Sequence, residues 1–227
     1  MNCKNNGKKA AHDHLDDCVR DLARPAHVNY TNEKELVPSH ADSNKKGDAL
    51  TTLSRDAWPQ VLDFTLVHPC SGSGVWDSNA LQNSVNRKMD KHNGAYFGLG
   101  FTFVACAVTT FGVLHQEFLR LLYILASRQA EVIVSYHRPD ADFADMLGMC
   151  FAANRAKVGA AVARGMAVCA RSLIVNRVFV AFVWGRASSP MDMSNSIWML
   201  WVHQGWMLLL LLLLSDLSCF VDVLVHA

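Results

Sequence analysis

The nonapeptide VLDFTLVHP, residues 61–69, places one carboxylate, Asp63, in the middle of an apolar run. Carboxylates in apolar surroundings are costly, and they shift their pKa, collect hydrogen-bond donors or hold a metal. Asp56, in SRDAWPQ, is the close acidic neighbour on the N-terminal side, and Trp58-Pro59 breaks any continuous strand between the two. A turn there can bring both carboxylates to one end of a sheet. Two carboxylates in one site repel unless a cation joins them; Mg²⁺ or Mn²⁺, held by one or two carboxylates and by substrate phosphate oxygens, relieves that repulsion. A nearby lysine can then orient an attacking water or stabilise charge on phosphate. In SNALQNSVNRKMDKHN, residues 78–93, a helical projection puts Leu81, Val85, Lys88 and His92 on one stripe and Lys91 to the side. Lys88 therefore faces whatever this helix packs on. The plainer account of the same residues is a turn aspartate at 56, a hydrogen-bonded core carboxylate at 63 and a lysine whose stem lies on apolar surface with its ammonium in water.

The elements that must hold these groups follow from periodicity. In QVLDFTLV both alternating faces carry apolar residues, which predicts a central strand packed between helices. Before it, AHDHLDDCVRDLAR, residues 11–24, spaces Leu15, Cys18, Val19 and Leu22 at helical intervals until Pro25 stops the pattern. Residues 38–55, rich in Ser, Asp, Asn, Lys and Gly, are expected to form a mobile loop, and residues 1–10 a disordered N-terminus. The uncharged run 95–114, AYFGLGFTFVACAVTTFGVL, is long enough to cross a bilayer, but its glycines, threonines and β-branched bias favour a buried strand. QEFLRLLYILASRQ is an amphipathic helix, and FADMLGMCFAANRAKVGAAVARGMAVCAR, from Phe143, a long alanine-rich one.

Charge nearly balances overall, so net charge argues for no particular partner. Its distribution is uneven: between Leu147 and Ala187 there are six cationic residues and no Asp or Glu. Within that zone Lys157, Arg164 and Arg171 recur every seven residues and form one helical stripe, either a solvated face or a row of phosphate contacts. The seven cysteines are scattered without CxxC spacing, and no apolar segment follows the first lysines; both point to a reducing, intracellular compartment and away from a disulfide framework or a zinc site. The segment 197–214, IWMLWVHQGWMLLLLLLL, is apolar and flanked by tryptophans, a candidate membrane helix that would tail-anchor the chain; the alternative is a low-complexity extension.

In order along the chain, LDFTLVHP, the RKMDKH helix with Tyr96 downstream, GFTFVACAVTTFGVL and EFLRLLYILASR resemble the restriction-endonuclease-like PD-(D/E)XK domain found C-terminal to reverse transcriptase in retroelement proteins. The likeness covers about residues 11–172 and leaves 173–227 as an apolar tail. It implies an α/β (α+β) fold, a small mixed sheet flanked by helices, and Mg²⁺- or Mn²⁺-dependent hydrolysis of DNA phosphodiesters. By the same likeness Asp63 is the strand metal ligand, Lys88 and Lys91 match a K-x-x-K helix, and His92 and Tyr96 fall with the DNA-contacting residues. Thr65 stands where a simple D-x-K motif has lysine, and the PD dipeptide is absent, Asp56 following Arg55. Three readings result: a metal-dependent nuclease with Asp56 and Asp63 as ligands, a small membrane protein with spans at 95–114 and 197–214, and a non-catalytic DNA-binding remnant.

Overall fold

The computed structural model describes residues 6–33, 36–40, 43–53, 58–70 and 75–187; Asp56 and the apolar segment 197–214 lie outside the described residues. The fold is mixed α+β. Helix α1 (Asn6–Ala23) is followed by β1 (Asn29–Thr31), a small hairpin of β2 (Ser39–His40) and β3 (Ser43–Lys46), then β4 (Ala49–Thr52) and β5 (Gln60–Val67). Helix α2 (Ala80–Gly98), strand β6 (Thr102–Thr109), helix α3 (Gln116–Val132), a π-helical turn (Ile133–His137) and the long α4 (Phe143–Ala187) complete it. The main sheet has the order β1-β4-β5-β6, antiparallel except for the parallel β5–β6 pair, whose register sets Asp63 beside Ala105.

Each face of the sheet has its own apolar core. On one side Leu62, Phe64, Cys106 and Val108 pack on Leu15, Val19 and Leu22 of α1, Phe118 and Leu122 of α3 and Val158 of α4. On the other, Val61, Phe103, Ala105 and Ala107 pack on Val85 and Tyr96 of α2. This is the double coverage that the two apolar faces of QVLDFTLV predict for a central strand. Burial of such side chains contributes roughly 1.5–3 kcal/mol each. Where α4 crosses α1 the spacing leaves no room for a side chain, and a Cβ on Gly165 would collide with Ala11.

One expectation and one alternative need correction. Residues 38–55 are not one mobile loop but carry β2, β3 and β4. The polar composition conceals the alternation in ALTT, whose Ala49 and Thr51 turn inward while β5 supplies the partner. Within the run 95–114 the expected buried strand is present as β6, and it is the alternative of a membrane span that fails. The first residues of the run end α2, Gly100 at φ 79° makes the turn into β6, and Gly112 at φ 81° makes the turn out of it. No described helix is long and apolar enough to cross a membrane, so the proposed span at 95–114 is a helix end, a buried strand and a turn.

The chain divides into two compact units, residues 1–176 and 177–227; of the second, only the last turns of α4 are described.

Candidate active site

Asp63 points from β5 toward α2 and is 6% exposed. Its partner across the sheet face is Lys88, whose Nζ donates to both carboxylate oxygens at 2.8 and 2.7 Å. The stripe of Leu81, Val85, Lys88 and His92 brings that ammonium inward, since residues three and four apart share a helix face. His92 lies on the same side, 3% exposed, its Nε2 3.9 Å from Asp63 Oδ2.

The second carboxylate comes from Asp48, at the point where the chain enters β4. Its amide donates to Leu62 O at 2.8 Å, and its Oδ2 accepts from the Phe64 amide at 2.7 Å and lies 2.8 Å from His12 Nε2 on α1. The residue before it fits only as glycine, because a Cβ on Gly47 would collide with Val61 Cγ1 and come within 2.9 Å of Leu62 O. The Gly47 amide donates to Tyr96 Oη at 2.8 Å, and that hydroxyl donates to Pro38 O at 3.0 Å. The end of α2 thus clamps the turn that presents Asp48.

The two acids are pushed to opposite behaviour. Burial, and next the negative charge of Asp48, push the Asp63 carboxyl up to about 6, with Lys88 opposing the shift. Burial also works against charge on Asp48, but its hydrogen bond to His12, the His12 charge and the Phe64 amide outweigh it and hold the carboxyl below its ordinary value. The same Asp48 hydrogen bond raises the His12 imidazole above its ordinary value against the effect of burial. A hydrogen bond can join the two carboxyls when Asp63 carries the proton. Carboxyls separated in this way by their surroundings are suited to different parts in acid–base chemistry or to sharing a cation.

The structure gathers Asp63 and Lys88 and adds Asp48 and His12, which the sequence reading missed. Lys91 is exposed on the flank of α2, and the lysine described on Asp63 is Lys88. His92 and Tyr96, expected among the DNA contacts, are both buried, with His92 stacked at 5.1 Å on Phe103 and Tyr96 fully enclosed. Lys157 and Arg164 are exposed on α4, whereas the side chain of Arg171, like Asp56, falls outside the described residues. The signal that could have found Asp48 is the dipeptide Gly47-Asp48 immediately before ALTT.

Among the described residues, no group of three or more His, Cys, Asp or Glu is arranged to hold a metal. The chain offers two carboxylates, a donor set that suits a hard cation completing its octahedron with water and phosphate oxygens and does not suit zinc. Comparison with protein-family models and with curated proteins gives no match.

Proposed function

We propose that this chain is a retroelement-derived, restriction-endonuclease-like protein that hydrolyses DNA phosphodiester bonds, with Asp48 and Asp63 as the ligands of Mg²⁺ or Mn²⁺. The carrying observation is the juxtaposition of these two carboxyls, Asp48 immediately before β4 and Asp63 in the antiparallel β5, with Lys88 on Asp63. Gly47-Asp48 before β4, Asp63 in β5 and a lysine moved to the following helix keep the order of the PD-(D/E)XK pattern, with a longer interval between the acids than Asp56 would give.

In this reading Asp48 and Asp63 would hold the metal, which would supply charge neutralisation and Lewis-acid polarisation of a phosphoryl oxygen. Asp48, held charged by His12 and the Phe64 amide, and Asp63, balanced by Lys88, supply the anionic face. The Lys88 ammonium stabilises charge gathering on the phosphate or orients the attacking water. Lys157, Arg164 and Arg171 on α4 add phosphate contacts, and the chain works in a reducing intracellular compartment with 197–214 as a candidate membrane anchor.

Nicking of supercoiled plasmid by the 227-residue chain in Mg²⁺ or Mn²⁺, with Asp63→Asn as control, tests this. Metal-dependent nicking that the substitution abolishes supports it. A folded protein that binds plasmid and never nicks supports a second reading, a non-cutting DNA-binding remnant, which is favoured by one observation: Lys88 already engages both oxygens of Asp63.

A further inference from the structure

We infer that His12 is a positioning residue of the carboxylate site: it holds Asp48 by one oxygen, leaves the other as the oxygen offered to a cation, and so favours Mg²⁺ or Mn²⁺ over Ca²⁺. The inference rests on the metal-binding reading of Asp48 and Asp63 and adds what sets the choice of ion. His12 Nε2 lies 2.8 Å from Asp48 Oδ2, and the Phe64 amide donates to that same oxygen at 2.7 Å. A carboxylate only accepts, so the imidazole is the donor, and the two lone pairs of Oδ2 are both taken. Both oxygens of Asp63 accept from Lys88. Among the described residues, Asp48 Oδ1 is thus the one oxygen of the two acids with no N–H donor on it.

The imidazole is fixed by its surroundings. Ala11, the residue before it, is fully buried where α1 crosses α4, and Gly165 there leaves no room for a side chain. His12 shares a helix face with the inward Leu15 and Val19. Its ring meets Phe64 edge-on, with centroids 6.1 Å apart at 83°, and Phe64 is itself buried edge-on against Phe118. On the outer side Nδ1 is 3.5 Å from Asp13 Oδ1. The two donors on Oδ2 are therefore coupled through one residue: Phe64 supplies the first from its backbone and seats the second with its ring. What a cation meets follows from this. Mg²⁺ demands a near-ideal octahedron that it completes with water and phosphate, whereas Ca²⁺ takes about six to eight oxygens and often grips a carboxylate by both. Asp48 held through Oδ2 offers Oδ1 alone, which suits the smaller ions. Without the imidazole a lone pair of Oδ2 is released, the carboxylate can turn to offer both oxygens, and the bias against Ca²⁺ is lost.

The test measures Mn²⁺ binding to the 227-residue chain by electron paramagnetic resonance of the free ion, with Mg²⁺ and Ca²⁺ as competitors and no DNA present. Two variants separate the hydrogen bond from packing. His12→Gln keeps an N–H donor at about the reach of Nε2, whereas His12→Leu keeps apolar contact with Phe64 and donates nothing. Circular dichroism and urea unfolding in EDTA confirm that both fold. His12→Leu is expected to weaken Mn²⁺ binding roughly 10- to 100-fold and to move the Mg²⁺/Ca²⁺ competition ratio toward Ca²⁺ by about tenfold, with His12→Gln within about threefold of wild type on both counts. Unchanged binding in His12→Leu overturns the inference. So does an equal loss for all three ions, which is what a merely structural histidine gives, and so does His12→Gln behaving like His12→Leu. A shifted ratio in a chain that never nicks plasmid leaves the role of His12 standing and removes only hydrolysis; metal-dependent nicking with an unshifted ratio does the reverse. Wild type that binds no Mn²⁺ overturns both.

Discussion

Lys88 Nζ rests 2.8 and 2.7 Å from the two oxygens of Asp63, although 25 residues separate them in the chain. The pair is held by α2 on one side and β5 on the other, and the ammonium is partly open to solvent. Lys88→Ala should lower plasmid nicking by about 10²–10³-fold, the loss typical of one charge-stabilising group. Lys88→Arg should not restore it, because a planar fork does not replace a compact ammonium. Initial nicking rates at saturating DNA check both.

Asp48→Asn and Asp63→Asn keep the size of each side chain while removing its charge. In Asp48→Asn the amide oxygen can still accept from Phe64 N, so the fold should survive. Both variants should lose Mn²⁺ affinity in calorimetry and nicking together. Unchanged Mn²⁺ binding in both would remove the metal-ligand role.

The turn before Asp48 should be sensitive well beyond its size. Gly47→Ala drives a methyl into Val61 and should cost about 1–3 kcal/mol by overpacking. Tyr96→Phe leaves the buried Gly47 amide without its 2.8 Å acceptor and should cost about 1–3 kcal/mol. Urea unfolding midpoints measure each, and nicking should fall in both as Asp48 loses its support.

Stability of the metal-free protein should fall as pH rises across the site's range. Asp63 is raised in the fold to about 6, so its protonated form stabilises fully below the unfolded value near 3.8 and that contribution is lost as pH climbs through about 6. His12 is also raised, so its contribution is present below 6.5 and lost as pH passes its folded value. Asp48 acts in the opposite sense: it is lowered, so it stabilises above 3.8 and fails only as pH drops through its folded value. The groups facing Asp63 are Asp48, Lys88 and His92. Urea unfolding in EDTA at several pH values should show Asp63→Asn flattening the fall between about pH 4 and 6 and His12→Ala flattening the part above 6.5.

Periodicity made α1, β5 and the inward face of α2 legible, because each has a run of apolar residues long enough to fix a period. Lys88 was legible for the same reason. Asp48 was not: the strands around it are short and polar, and their pairing with β5 is a non-local fact that composition cannot carry. His12 carried no signal in the sequence because its partner lies 36 residues away in the chain. Tyr96 was assigned to the uncharged run 95–114, because the loss of polar residues there masks the helical period, whereas the helix continues to Gly98.

Strand β4 leaves β5 at Leu62, and from Phe64 to Val67 no described strand pairs with that side of β5. The first amide there is taken by the Asp48 carboxylate. A half-buried negative charge with a histidine behind it is a poor neighbour for an incoming backbone, so the residue proposed to bind metal would also disfavour a second copy adding its own strand to the sheet. Chains with Asp48 replaced by alanine would offer that amide freely, and their characteristic failure would be self-association into aggregates.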